Sequence, residues 1–139
     1  MSNSNTIKNA DLALLFIRIG IGVVFIVAGW GKLTGIEGVQ GFFGDVGIPM
    51  AGLMAWIVAI VEFFGGIMVL TGLYPRIPAL LLVIIMIVAI LTVKLERGFG
   101  DMRLDLLLLL MNAAIFLTGS GKYSIDSLLN QKKEAPAEA

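Results

Sequence analysis

Four ionisable side chains lie inside or at the rim of apolar runs: Arg18, Lys32, Glu62 and Asp105, with Asn112 seven residues beyond the last. Two cations and two carboxylates among apolar neighbours can do two kinds of work. Opposite charges can neutralise one another across a helix contact, and a buried carboxylate can exchange protons with a bound molecule. Aromatic side chains on the same segments, Phe25, Trp30 and Trp56, are candidates to line a cleft for a flat ring. The competing reading is that such aromatics simply pack together or face an apolar solvent.

Composition says what that solvent is. The chain is 58% hydrophobic and 14% charged, whereas a soluble domain carries about 25% charged residues. A fold of 139 residues cannot find a wettable surface in such a sequence, and a bilayer removes the need for one. Neither cysteine nor histidine occurs. Disulfides, thiolate metal sites, histidine-held haem or zinc and histidine acid–base chemistry are therefore excluded, and no metal is expected. The net charge is zero and the basic residues are scattered, which gives nucleic acid no surface to bind.

Four apolar segments must position the charged groups. After a polar N-terminus (1–10), spans are expected at about 11–33, 51–71, 78–94 and 104–118, within a membrane domain of 11–121. The first three approach or reach the roughly 20 residues that cross a bilayer core. Pro78 suits the first turn of the third. The fourth crosses only if Leu104 and Asp105 enter with it; a re-entrant piece is the alternative. Arg18 interrupts the first segment, so it reads as a retained span rather than a cleaved leader. The predicted fold is an all-α, four-helix antiparallel bundle.

Between the first two spans, Ile36, Val39, Phe43 and Val46 recur at helical intervals, as in a short amphipathic helix in the membrane interface. Glycines at 38, 41 and 44 equally permit a loop. The stretch 122–139 turns polar and reads as a solvated, disordered tail. Lys8, Arg76, Lys122, Lys132 and Lys133 fall on the side of the termini and Lys32, Lys94, Arg97 and Arg103 on the other, a slight majority for cytoplasmic termini.

In that topology Arg18 stands about 9 Å into the first span, and Glu62 enters about eleven residues into the second from the opposite face. The expected contact is an Arg18–Glu62 ion pair inside the bundle, since a lone charge near the bilayer centre costs about 2.5–3.5 kcal/mol or more. Arg18 reaching out to headgroups beside a protonated Glu62 is the alternative. The spacing of Arg18, Gly22, Phe25, Gly29 and Lys32 makes one stripe, and Ala51, Ala55, Ala59, Glu62 and Gly66 another, both small enough for close helix packing. Asp105, Asn112 and Gly119 share a face of the fourth segment. Asp105 has Lys32, Lys94, Arg97 and Arg103 as candidate partners, set against plain headgroup anchoring of those cations.

Taken in order, Arg18, Phe25, Gly29 and Lys32, then GIP at 47–49, EFFGGIMVLTGLYPR at 62–76 and GSGKYSID at 119–126 resemble the DoxX family of small bacterial and archaeal membrane proteins. The resemblance runs from about Leu14 to Asp126. It implies a plasma-membrane protein related to a small subunit of terminal quinol oxidase and thiosulfate:quinone oxidoreductase, with Arg18, Lys32, Glu62 and Asp105 at matching polar positions. Where that family usually has glutamate at the start of the fourth span, this chain has Asp105, one methylene shorter.

Three functions remain open. The first is an accessory or anchoring subunit of a quinone-linked redox system, non-catalytic by itself, with quinone as candidate ligand, lipid around it and a redox protein or a second copy as partner. No intrinsic cofactor is expected. The second is a carrier of a small solute or lipid with Arg18 gripping an anion. The third is a structural module in which the ion pair fixes helix register.

Overall fold

The computed structural model describes residues 3–94 and 97–134. Among the described residues six α-helices follow one another: α1 (Asn3–Thr34), α2 (Ile36–Asp45), α3 (Ala51–Thr71), α4 (Arg76–Ala89), α5 (Phe99–Thr118) and α6 (Ile125–Glu134), with a π-helical segment Ile90–Lys94 continuing α4. No strand occurs among the described residues. Among the described residues three stretches are long and apolar enough to cross a membrane: Lys8–Thr34, Ala51–Thr71 and Arg76–Val93. α5 packs along α4 and touches α1. Its first two turns carry Asp101, Arg103 and Asp105, and its uninterrupted apolar stretch begins at Leu106.

α1 and α3 make the closest helix contact, and glycine is the reason. A Cβ at Gly29 would run into the backbone of Phe63, and one at Gly22 would meet Leu70 and the carbonyl of Gly66. In lipid no hydrophobic gain drives helices together, so dispersion between backbones that approach this closely has to do it. The rest of the core joins Ile21 and Phe25 of α1 to Val69 of α3, Leu82 and Met86 of α4, and Leu108 and Ile115 of α5.

Those glycine contacts also fix the vertical register. Gly29 lies level with Phe63 and Gly22 with Gly66 to Leu70, so the end of α1 at Thr34 falls level with about Val58. The first two turns of α3 consequently stand beside α2, which packs against α3. The stretch 36–45 is thus a helix, in spite of its glycines. Its outer glycines, Gly38 and Gly41, have nothing within 4 Å of where a Cβ would stand. Gln40 Nε2 donates to the Gly52 carbonyl at 3.1 Å and pins α2 to the start of α3.

α3 ends in a Schellman motif. Gly72 adopts φ +73°, the Leu73 N–H donates to the Met68 carbonyl at 2.9 Å and the Gly72 N–H to Val69 at 3.2 Å. α4 begins at once, with Pro78 in its first turn, where a missing N–H costs nothing.

The polar tail departs from the expectation of disorder. Residues 125–134 form α6; residues 135–139 lie outside the described residues. Ser124 explains the start, because its hydroxyl oxygen accepts the Ser127 N–H at 3.1 Å. Asp126 in the first turn and Lys132 and Lys133 in the last complement the helix dipole. The Asp126 N–H also donates to the Gly72 carbonyl at 3.2 Å, fastening α6 beneath the end of α3.

Candidate functional site

The polar groups separate into two clusters at opposite ends of the α1–α3 pair. Arg18 does not meet Glu62. Fourteen residues separate Arg18 from Lys32, about 21 Å along the helix, and it is Lys32 that reaches the carboxylate, Nζ to Oε2 at 2.6 Å. The Arg18–Glu62 expectation fails on register. It placed Ala51 at the membrane face opposite Arg18, whereas α3 starts two turns beyond the end of α1 and brings Glu62 level with Gly29.

Arg18 is 1% exposed and serves instead as a clasp on backbone carbonyls. NH1 donates to Ser120 at 2.6 Å, and NH2 donates to Tyr123 at 2.7 Å and to Leu70 at 3.4 Å. The Leu70 carbonyl belongs to the last turn of α3 and Ser120 follows the end of α5, so the guanidinium lies at two helix C-termini whose carbonyls point out unpaired. Gly72 leaves room for it, since a Cβ there would press on NH1 and on Ser124. Asp11 adds a second tie from α1, its Oδ1 accepting the Lys122 N–H at 3.2 Å. The GSGKYSID segment is therefore the far half of this clasp.

The second cluster opens on a cleft of about 440 Å³ between α2, α3, α4 and the start of α5. Its walls are mostly apolar, with Phe42 and Phe43 from α2, Val58 and Val61 from α3 and Ile84 and Ile85 from α4. Lys32, Glu62, Arg97 and Asp105 bring charge to this one space. Glu62 is nearly buried, its side chain 4% exposed against 28% for Lys32. The π-helical segment contributes Thr92 and Val93 to the wall; a wider helical turn of this kind often marks a ligand site.

Of the aromatic candidates, none lines the cleft. Phe25 is buried in the core, while Trp30 and Trp56 are largely exposed. Trp30 packs its ring 5.9 Å from that of Phe63 on the outer edge of the α1–α3 contact. Phe42 and Phe43 stand in their place. Asn112 is fully buried but sits in the α5 core face between Leu108 and Ile115, donating to the Leu108 carbonyl at 2.8 Å. Its Oδ1 has no hydrogen-bond partner among the described residues. Thus Lys32, Glu62 and Asp105 are brought to one cleft and Arg18 and Asn112 are not.

Comparison with known proteins gives the chain a family. The DoxX family model matches residues 13–95, a region that includes Arg18, Lys32 and Glu62. The chain belongs to the DoxX family. Among its DoxX-type relatives is a Bacillus subtilis protein named "Putative oxidoreductase CatD", 38% identical over 128 residues, covering 91% of this chain and 94% of that one. Another is "Inner membrane protein YqjF" of Escherichia coli, 36% identical over 132 residues, covering 90% of this chain and 98% of the relative. No solved structure matches the chain. As a DoxX member with three membrane-length apolar stretches, the protein is a membrane protein in contact with lipid.

Proposed function

We propose that this DoxX protein is an accessory or anchoring subunit of a quinone-linked redox system in the bacterial or archaeal plasma membrane, and that the α2–α3–α4 cleft receives the quinone ring. The observation that carries the reading is an ion pair, Lys32–Glu62, in the wall of an otherwise apolar cleft of about 440 Å³. That volume lies in the range of small-molecule sites, which combine apolar walls with a few placed polar groups. The name of the Bacillus subtilis relative adds support for redox chemistry.

A bound quinone supplies two-electron, two-proton redox capacity. Lys32, partly exposed and already aimed into the cleft, donates a hydrogen bond to a carbonyl oxygen at its inner end. Glu62 orients that ammonium, and its carboxylate accepts a proton and hands it on to the same oxygen as the quinone is reduced. Asp105 and Arg97 line the same space and offer a second carboxylate through which protons pass. Electrons come from a partner protein, since the chain's own residues include neither cysteine nor histidine to hold a redox centre. In this reading α5 is the fourth crossing, Asp105 stands at the headgroups and both termini face the cytoplasm.

The clasp weighs against the carrier reading. An anion gripped by Arg18 would have to compete with three carbonyls already bonded to NH1 and NH2.

Photolabelling with an azidoquinone, followed by peptide mapping of the full-length protein in lipid nanodiscs, tests the proposal. Label is expected on α2 and α4 near Phe43 and Ile85, and excess unlabelled quinone should suppress it. Label confined to lipid-facing positions such as Leu117, or not suppressed, refutes it.

A further inference from the structure

A second cavity lies at the opposite end of the molecule, independent of the quinone reading. It is a groove of about 590 Å³ between the α3–α4 turn, the end of α5 and one face of α6. From α6 it receives Ser127, Asn130 and Gln131, whose spacing of three and four puts hydroxyl and amide groups on one face. From α4 it receives Arg76.

The charge balance of this groove is uneven. Asp126 also lines it, but that carboxylate is engaged: Oδ1 accepts the Tyr74 N–H at 2.9 Å, and its charge is attracted by the buried Arg18 behind it. Arg76 has no hydrogen bond or ion pair among the described residues. Its guanidinium lies over Gly119, with Nε and NH2 3.4 and 3.5 Å from where a Cβ would stand. An exposed five-donor fork thus lines a polar groove, over Gly119, without a hydrogen-bond or ion-pair partner among the described residues, an arrangement that suits a phosphate oxygen pair.

The surroundings give the rest of the occupant. Ile77, beside Arg76, is 67% exposed, and Leu117, in the last turn of α5, is 76% exposed. Both belong to helices whose outer faces are apolar, so the polar groove continues directly into surface that only acyl chains would cover. An ion from water has no use for those walls. We propose that the groove is a binding site for the headgroup of an anionic phospholipid, with its phosphate on Arg76, its polar headgroup against Asn130 and Gln131, and its chains along Ile77 and Leu117.

The test uses the full-length protein, delipidated in dodecyl maltoside. Binding of phosphatidylglycerol and of phosphatidylcholine is titrated by native mass spectrometry, with inorganic phosphate as soluble competitor. One tightly held phosphatidylglycerol is expected, with phosphatidylcholine clearly weaker and millimolar phosphate unable to displace the lipid. Arg76→Gln should weaken phosphatidylglycerol binding about tenfold, the scale of one charged hydrogen bond. Arg76→Lys should fall between, and Arg103→Gln should bind as wild type. Arg76 makes no contact that holds the fold, so unchanged thermal unfolding of these variants is expected. Equal retention of the two lipids, wild-type binding by Arg76→Gln, an equal loss in Arg103→Gln, or displacement by phosphate would each overturn the assignment.

Discussion

Replacing Arg18 by methionine removes the clasp while keeping most of the side-chain volume. The guanidinium donates two short bonds, 2.6 Å to Ser120 and 2.7 Å to Tyr123, and a long one, 3.4 Å to Leu70, that contributes little. A hydrogen bond from a charged group is worth about 1.5–3 kcal/mol net. The two short ones together give about 3–6 kcal/mol, and Arg18→Met leaves the Ser120 carbonyl without its donor. Arg18→Lys keeps one of the two bonds and should recover about half, because an ammonium cannot fork between carbonyls on two chain segments. Reversible unfolding in mixed micelles measures the loss. Amide exchange should show where it falls: protection disappears first in residues 119–126 and in α6. The double variant Arg18→Met/Glu62→Gln should be additive within about 0.5 kcal/mol, as expected for groups with no shared partner. A loss under about 1 kcal/mol for Arg18→Met, or a coupling above that with Glu62, would refute the reasoning.

The second ion-pair cycle should behave differently. Lys32→Met strands a nearly buried carboxylate and should cost about 3 kcal/mol, whereas Lys32→Met/Glu62→Leu, losing both charges, should return to within about 1 kcal/mol of wild type; unfolding of the three proteins reads both. Gly29→Ala should destabilise by about 1–3 kcal/mol because the methyl collides with the Phe63 backbone. Gly31→Ala, with nothing within 4 Å, should be neutral or stabilising by up to about 1 kcal/mol in the same assay.

What the sequence shows well here is packing. The stripe Arg18, Gly22, Phe25 and Gly29 is buried as its spacing implied, and so are Ala55, Ala59, Glu62 and Gly66. Small residues three and four apart carry that signal whatever the solvent. What it hides is facing and depth. In a soluble helix a polar side marks the outside, but here Trp30, Trp56 and Leu117 are exposed and as apolar as the core, so no contrast separates a cleft-lining aromatic from a lipid-facing one. Depth suffers similarly. The level of Glu62 depends on α3 starting beside α2 and not at the end of α1, a stagger set by the Gly29–Phe63 contact and not by any residue near Ala51. α6 was legible in part: Ser124, Asp126 and the lysines at 132 and 133 are ordinary helix-end residues, outweighed by the polar composition of the segment around them.

The cleft is most directly tested by filling it. Equilibrium binding of a short-chain benzoquinone to the full-length protein should weaken more than tenfold in Val58→Trp, whose side chain enters the space in front of Lys32–Glu62, while unfolding stability and phospholipid binding at Arg76 stay as in wild type. Undiminished quinone affinity in a folded Val58→Trp protein would mean that the cleft behind α2 is not where the ring sits.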